Sequence, residues 1–357
     1  MCSAPNAGHP AGNSIESDLD VTFSGYRLAG GKTFGECRFM AVSEWSLSRN
    51  MPYMNRAERR RQRKKAEKSA KDAKPVQSRN PNPSRGGQAL GAVYRTMQDA
   101  IKLVWIASMP RSGSMWTYNV GRSVLRRAGR KVFPKDVPQK DRDMLALAAQ
   151  GLQDKDPTNV WTLKVHRSIE RNIPRSRFIT THRDPRDALV SFKRFMRCDF
   201  ERALKAMMGS VSLCDHYRNF PAELCLHLEY RDIVKTPRDV VQRIAEHIGC
   251  PITSEIASEV VNEFSKSNVE QRIRDAEASV ERRAALGDPI TPGEVVRLGP
   301  RNQRAFDLTT GFQTGHVSDY REGDWKNSLT LSEKDRMLTV LGPWLRCNGY
   351  LAMDTPV

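Results

Sequence analysis

Ile101-Lys102-Leu103-Val104-Trp105-Ile106-Ala107 leads directly into Ser108-Met109-Pro110-Arg111-Ser112-Gly113-Ser114-Met115-Trp116, and the reading of this junction decides the fold. The first stretch is a short apolar run of the kind that forms a strand buried on both faces of a parallel sheet. The second punctuates it. Pro110 ends the strand, Gly113 lets the backbone turn closely around a ligand, and residues 115–128 have the pattern of a helix. Ser112 and Ser114 add hydroxyl donors beside the open amides of that helix, and Arg111 adds a permanent charge with two-pronged geometry. A phosphate or sulfate placed there would meet donors from three sources. Taken alone, the same residues also describe an ordinary polar strand-to-helix turn, and the GxxxxGK[ST] spacing of a Walker A loop is absent.

The same texture recurs downstream. Residues 177–181 read as a second strand before a helix over 186–196, and residues 224–229 as a third before a helix over 237–248. Strands alternating with longer helices predict an α/β domain with a mostly parallel central sheet flanked by helices, its site carried by loops at the carboxyl ends of the strands. No internal repeat of solenoid length is present.

Net charge is +17 over 357 residues. Such a field favours an anionic ligand without choosing among nucleotide, nucleic acid and anionic lipid. Ten basic and three acidic residues lie between Arg56 and Lys74. Residues 1–53 read as an irregular or disordered extension, and 54–74 as a basic, solvent-exposed helix capped by Asn55 and stopped by Pro75. Residues 75–98 read as a linker, and 99–357 as the catalytic domain. The sequence from Met54 resembles a natural bacterial amino terminus, which makes Met54 an alternative start. For the basic arm, a solubilising role is favoured over contact with nucleic acid or membrane. The seven cysteines are odd in number, widely spaced and free of CxxC pairs, which argues against a zinc knuckle or a disulfide framework and for isolated thiols. No run approaches 18 apolar residues, and Met1-Cys2-Ser3-Ala4-Pro5 lacks the parts of a signal peptide, so a cytoplasmic location is expected by default.

Three further marks accompany the first loop. His182-Arg183-Asp184-Pro185-Arg186-Asp187-Ala188-Leu189-Val190-Ser191 follows the second strand, with Pro185 early in its helix where a missing donor costs little. Leu163-Lys164-Val165-His166 reads as a strand that carries Lys164 and His166 on one face. Gly323-Asp324-Trp325-Lys326-Asn327 stands near the end of the chain, after Arg321-Glu322.

In this order the motifs resemble those of the cytosolic-type sulfotransferases, over about residues 101–350. The resemblance implies a P-loop-like nucleotide-binding fold and 3'-phosphoadenosine-5'-phosphosulfate (PAPS) as co-substrate, with no metal. It makes residues 111–116 the cradle of the 5'-phosphosulfate: Arg111 takes the place of the family lysine, and Ser114 and Met115 replace its two threonines. Trp116 would stack on adenine or serve as a core tryptophan. Arg183 and Ser191 would grip the 3'-phosphate. Tyr230 would approach the adenine edge or be a partly buried strand-end tyrosine, and residues 264–268 offer another adenosine contact. The family's Lys-x-His motif makes His166 the base for the acceptor proton and sets Lys164 near the sulfate; His182 and His227 are the other candidate bases. The closing Arg-Lys-Gly trio is replaced by Ser318-Asp319-Tyr320, so the resemblance leaves Arg321 or Arg304 to reach the phosphate in a shifted register, with Gly323 following and 311–320 as a mobile lid. The implied reaction moves a sulfuryl group to a hydroxyl or amine of a small-molecule acceptor whose identity leaves no mark. A phosphotransferase of the Walker type is disfavoured by the missing motif. A catalytically silent protein acting through its basic arm is the alternative that the altered trio supports.

Overall fold

The computed structural model describes residues 100–352 apart from 292, 298–302 and 318–320. The segments assigned above to 1–53, 54–74 and 75–98, and the altered trio, lie outside the described residues. Along the chain run β1 (Leu103–Ala107), α1 (Ser114–Arg127), β2 (Lys131–Phe133), α2 (Asp141–Gln153), β3 (Asn159–Val165) and β4 (Ser176–His182). Then come α3 (Pro185–Met196), α4 (Phe200–Arg218), β5 (Cys225–Glu229), α5 (Tyr230–Lys235), α6 (Pro237–His247), α7 (Ser254–Glu263) and α8 (Lys266–Leu286). A short hairpin of β6 (Val295–Arg297) and β7 (Gln303–Ala305), the turn α9 (Trp325–Ser328) and α10 (Leu331–Cys347) complete it.

The five long-range strands form one sheet in the order β2-β3-β1-β4-β5, every adjacent pair parallel. β1 is central and buried at all five positions, the condition that calls for an unbroken apolar run. Each large apolar side chain so buried contributes about 1.5–3 kcal/mol. Trp105 stacks nearly parallel on Phe178 of β4 at 6.3 Å and donates its indole N–H to Ser176 at 3.4 Å. Ile101 and Lys102 fall outside the strand. Lys102 is fully buried, with its ammonium on the Asp156 carbonyl and 3.7 Å from the Asp154 carboxylate, so it acts as a buried brace.

β3 begins four residues earlier than the 163–166 reading, and His166 stands just past its end. Its first half alternates buried and half-buried positions and lacks an apolar run, which hid it from a hydropathy scan. From β1 the chain crosses first to one side of the sheet (β2, β3) and then to the other (β4, β5), so the carboxyl end of β1 is the topological switch point at which open α/β sheets bind ligands. A second apolar cluster, including Leu189, Leu204, Met207, Met337 and Leu341, packs α3, α4 and α10 together beside the sheet. Among the described residues the cysteines are unpaired, and no helix is long and apolar enough to cross a membrane.

α2 lies so close to the sheet that a Cβ on Gly151 would come within 2.7 Å of Leu103 and 2.8 Å of Trp161. Glycine inside a helix ordinarily costs about 1 kcal/mol relative to alanine. Here the sign reverses: Gly151→Ala is expected to lower the thermal midpoint by several degrees, because overpacking costs about 1–3 kcal/mol. A calorimetric melt of Gly151→Ala at or above the wild-type midpoint would show that α2 can move outward freely.

Candidate active site

The loop after β1 is built on two left-handed residues, Arg111 (φ 64) and Gly113 (φ 88), the latter capping α1. A Cβ on Gly113 would meet Ile233 at 3.0 Å and the Tyr230 ring at 3.3 Å, so glycine is required both by φ and by the approach of the strand-end tyrosine. Ser112 differs from its sequence reading. Its hydroxyl is wholly buried and turned inward, 2.6 Å from the Met109 carbonyl, 3.0 Å from the Thr181 carbonyl and 2.5 Å from the Thr181 hydroxyl. The Thr181 N–H donates to the Ser108 hydroxyl at 3.0 Å. Ser112 therefore ties the loop to β4, because the parallel neighbour supplies acceptors at the point where the strand ends.

Ser114 is buried in the first turn of α1, while Met115 and Trp116 are half-buried and pack against the main core. Met115 also faces the 311–317 segment: a Cβ on Gly311 would come within 3.0 Å of its methyl. Trp116 packs beside the core.

Lys164 and His166 lie at the carboxyl end of β3, and the two-residue strand period puts them together, with Nζ 2.8 Å from Nε2. Nδ1 of His166 is 2.7 Å from the Ser108 carbonyl. A carbonyl only accepts, so Nδ1 carries the ring proton and Nε2 keeps its lone pair toward Lys164. The Asp141 carboxylate at the start of α2 accepts the backbone N–H of His166 at 2.7 Å. Burial first, and the Lys164 charge second, hold His166 well below its usual pKa; burial lowers Lys164 as well. The alternative bases are elsewhere: His227 is 2.9 Å from the Thr180 hydroxyl, and His182 lies 3.9 Å from Glu229.

The two clamp residues, Arg183 and Ser191, both reach Arg111. Ser191 accepts from Arg111 Nε at 3.0 Å, and Arg111 Nη2 donates to the carbonyls of Gly315 and His316 at 3.2 and 3.3 Å. Arg183 reaches the Arg111 carbonyl at 3.3 Å, lies 4.5 Å over the Tyr230 ring and stands 3.9 Å from Asp187. The loop, the clamp and the strand-end tyrosine thus converge, but through Arg111 and Tyr230. Burial, with help from Arg183, brings Arg111 down to about 10, still charged at neutral pH.

Asp184 caps α3 through the N–H of Arg186 at 2.9 Å, and Asp187 accepts the backbone N–H of Gly323 at 3.2 and 3.0 Å through its two oxygens. With Arg186 4.5 Å over the Trp325 ring, this docks the Gly323–Asn327 segment on the clamp helix. Arg321 is exposed and its backbone N–H goes to Asp324. Ser265, from the 264–268 candidate, caps α8. The 311–317 part of the expected lid lies over the site: His316 stacks on Phe195 at 5.4 Å, 12° from parallel, and Arg111 and Arg304 stand 4.4 and 4.0 Å from the same ring. Sequence reasoning gave no role to Ser108, Asp141, Thr181 or His316, although Ser108 and Thr181 stand inside the quoted loop and strand; Phe195 was legible only as an apolar residue able to line a pocket, and Asp187 only as part of the clamp motif.

Residues 42–254 match the model of the Sulfotransferase family. The match includes the first loop, Lys164, His166 and the clamp, and stops before Gly323. A flavonol 3-sulfotransferase of Flaveria bidentis is 22% identical over 265 residues, 64% of this chain and 76% of that protein. Among solved structures, a retinol dehydratase in complex with retinol and PAP is 14% identical with a TM-score of 0.45, covering 73% of this chain and 86% of that one. A mouse sulfotransferase complexed with PAP is 13% identical with a TM-score of 0.44, covering 71% and 88%.

Proposed function

This chain belongs to the sulfotransferase family, and from that premise we propose that it transfers a sulfuryl group from PAPS to a hydroxyl or amine of a small-molecule acceptor. The observation that carries the reading is the His166 imidazole: its tautomer is fixed by the Ser108 carbonyl, and its Nε2 lone pair is directed at Lys164 beside the loop after β1. In the proposed reaction the acceptor oxygen bonds to sulfur as the bond between sulfur and the donor's phosphate oxygen breaks, and the acceptor proton passes to Nε2 of His166. That nitrogen is engaged by Lys164, so Lys164 has to turn away first; an anionic sulfuryl group supplies the reason for it to do so. Arg111 balances charge on the sulfuryl oxygens as a fixed cation. Residues 311–317 would exclude water from the reacting group.

The donor site is tested by calorimetry with 3'-phosphoadenosine-5'-phosphate (PAP) and AMP. PAP is expected to bind at least about tenfold more tightly, the worth of one charge-assisted hydrogen bond set to the extra phosphate from Arg183 and Ser191. Equal affinities would remove the donor assignment. A screen of acceptors with labelled PAPS tests the transfer itself, with failure on alcohols, phenols and amines alike counting against it.

A further inference from the structure

Asp141 opens α2, and the same first turn holds Asp143. Acidic residues there favour a helix because its open amides carry partial positive charge. Asp143 fits that role and stays exposed, 3.6 Å from Arg142. Asp141 is half-buried instead, and one of its carboxylate oxygens accepts the His166 backbone N–H at 2.7 Å, while α2 is left without a side-chain cap. A neutral oxygen would satisfy that N–H as well. The hydrogen bond alone does not call for a charge.

The groups around the reacting pair do. Lys164 and His166 are half-buried and meet at 2.8 Å. Arg111 adds positive charge beside His166 from the loop after β1, and His316 faces both residues from the 311–317 segment. From α4, Tyr217 holds the residues that follow His166, its hydroxyl donating to the Arg167 carbonyl at 3.0 Å and accepting the Ile169 N–H at 2.9 Å; burial keeps that phenol neutral. Acids near the other strand ends are committed elsewhere: Asp184 to Arg186, Asp187 to the Gly323 N–H and Glu229 to Arg231. Burial lowers the pKa of Lys164 and the Asp141 charge opposes it; the same charge raises His166 against burial and Lys164. Positive charge withdrawn from water needs a partner of opposite sign.

We propose that Asp141 is the counter-charge of the reacting pair, holding the positive charge on Lys164 and balancing the imidazolium that His166 becomes as it takes the acceptor proton. The inference rests on the transfer reading above. As the acceptor oxygen bonds to sulfur, its proton passes to Nε2, and the electron pair of the broken sulfur–oxygen bond leaves on the phosphate of PAP. Nδ1 is already given to the Ser108 carbonyl, so the acid acts through its charge and the backbone and not through the ring. Asp141 touches none of the reacting atoms and is a positioning residue.

Asp141→Asn tests it, because the amide oxygen can still accept the His166 N–H while the charge is gone. NMR of the full chain carrying 13C at the lysine ε-carbon, with Lys164→Ala to assign the signal, reads the Lys164 titration without donor or acceptor. Its midpoint should lie below 10.5 in the wild type and fall by about one further pH unit in Asp141→Asn, since removing a nearby negative charge disfavours the cation. Asp141→Ser, small and with an acceptor oxygen of its own, carries the same expectation should asparagine disturb the fold. An unmoved midpoint overturns the proposal. With labelled PAPS and a neutral alcohol acceptor, Asp141→Asn should lower kcat by about tenfold, leave PAP affinity within about twofold, and move both limbs of kcat/KM to lower pH. Limbs that stay in place while the amplitude drops would make Asp141 structural only, and likewise overturn it. A moved midpoint in a chain that transfers sulfuryl to no acceptor defeats the transfer reading and leaves the pairing of Asp141 with Lys164 standing.

Discussion

His166→Ala is expected to reduce turnover on a neutral alcohol acceptor by roughly two to four orders of magnitude, with PAP affinity little changed. The geometry argues for so large a loss. The Ser108 carbonyl at 2.7 Å leaves only Nε2 to accept a proton, and the Asp141 carboxylate pins the backbone that carries the ring. Because burial and Lys164 hold the imidazole below its usual pKa, it stays neutral throughout the neutral range. The free enzyme's acid limb in kcat/KM should accordingly lie below about pH 6.5, the ordinary histidine value, and vanish in the variant. An acceptor already ionised at assay pH should show a smaller defect, since no proton remains to be removed. Lys164→Ala should slow the reaction and weaken donor binding together, because its charge serves ground state and transition state alike. His166→Ala retaining more than about a third of wild-type turnover on the neutral acceptor would make His166 structural and send the search to His182.

Arg111→Ala is expected to lower turnover by roughly two to three orders of magnitude, the loss associated with removing one preorganised donor to developing charge. Arg111 holds Ser191, the Gly315 and His316 carbonyls and one face of Phe195 at once, so alanine also frees the lid segment. Arg111→Lys is the informative partner. Lysine restores a point charge at the position where the resembling family carries lysine, while losing the fork that spans Ser191 and the lid carbonyls. It should recover to within about tenfold of wild-type turnover while loosening the lid, read as faster proteolysis near 311–317. If Arg111→Lys is as inactive as Arg111→Ala, the arginine's role is to shape the loop and not to supply charge.

Much of the sheet, and the placing of the candidate residues at strand ends, were legible in the sequence. β1 is readable because a strand covered on both faces needs an apolar run, and α1, α3 and α6 because turn residues and prolines set their starts. Lys164 and His166 were paired by the strand period alone, which is local and survives any tertiary arrangement. The first half of β3, the three-residue β2 and the β6–β7 hairpin were not legible, since short or alternating strands gain their stability from neighbours that the local sequence does not name.

What the sequence by itself determined is which residue types end each strand: Arg111 and Gly113 after β1, His166 after β3, Arg183 after β4, Tyr230 after β5. What only the tertiary structure decided is who meets whom. Setting β1 between β3 and β4 turns the Ser112 hydroxyl onto Thr181, gives Ser191 to Arg111, sends Arg183 to Tyr230 and docks Gly323 on Asp187. The reason is physical. Backbone period and turn chemistry act over a few residues and are written along the chain. A hydrogen bond that a side chain makes to a partner 80 or 136 positions away depends on strand order and on which elements the fold packs side by side.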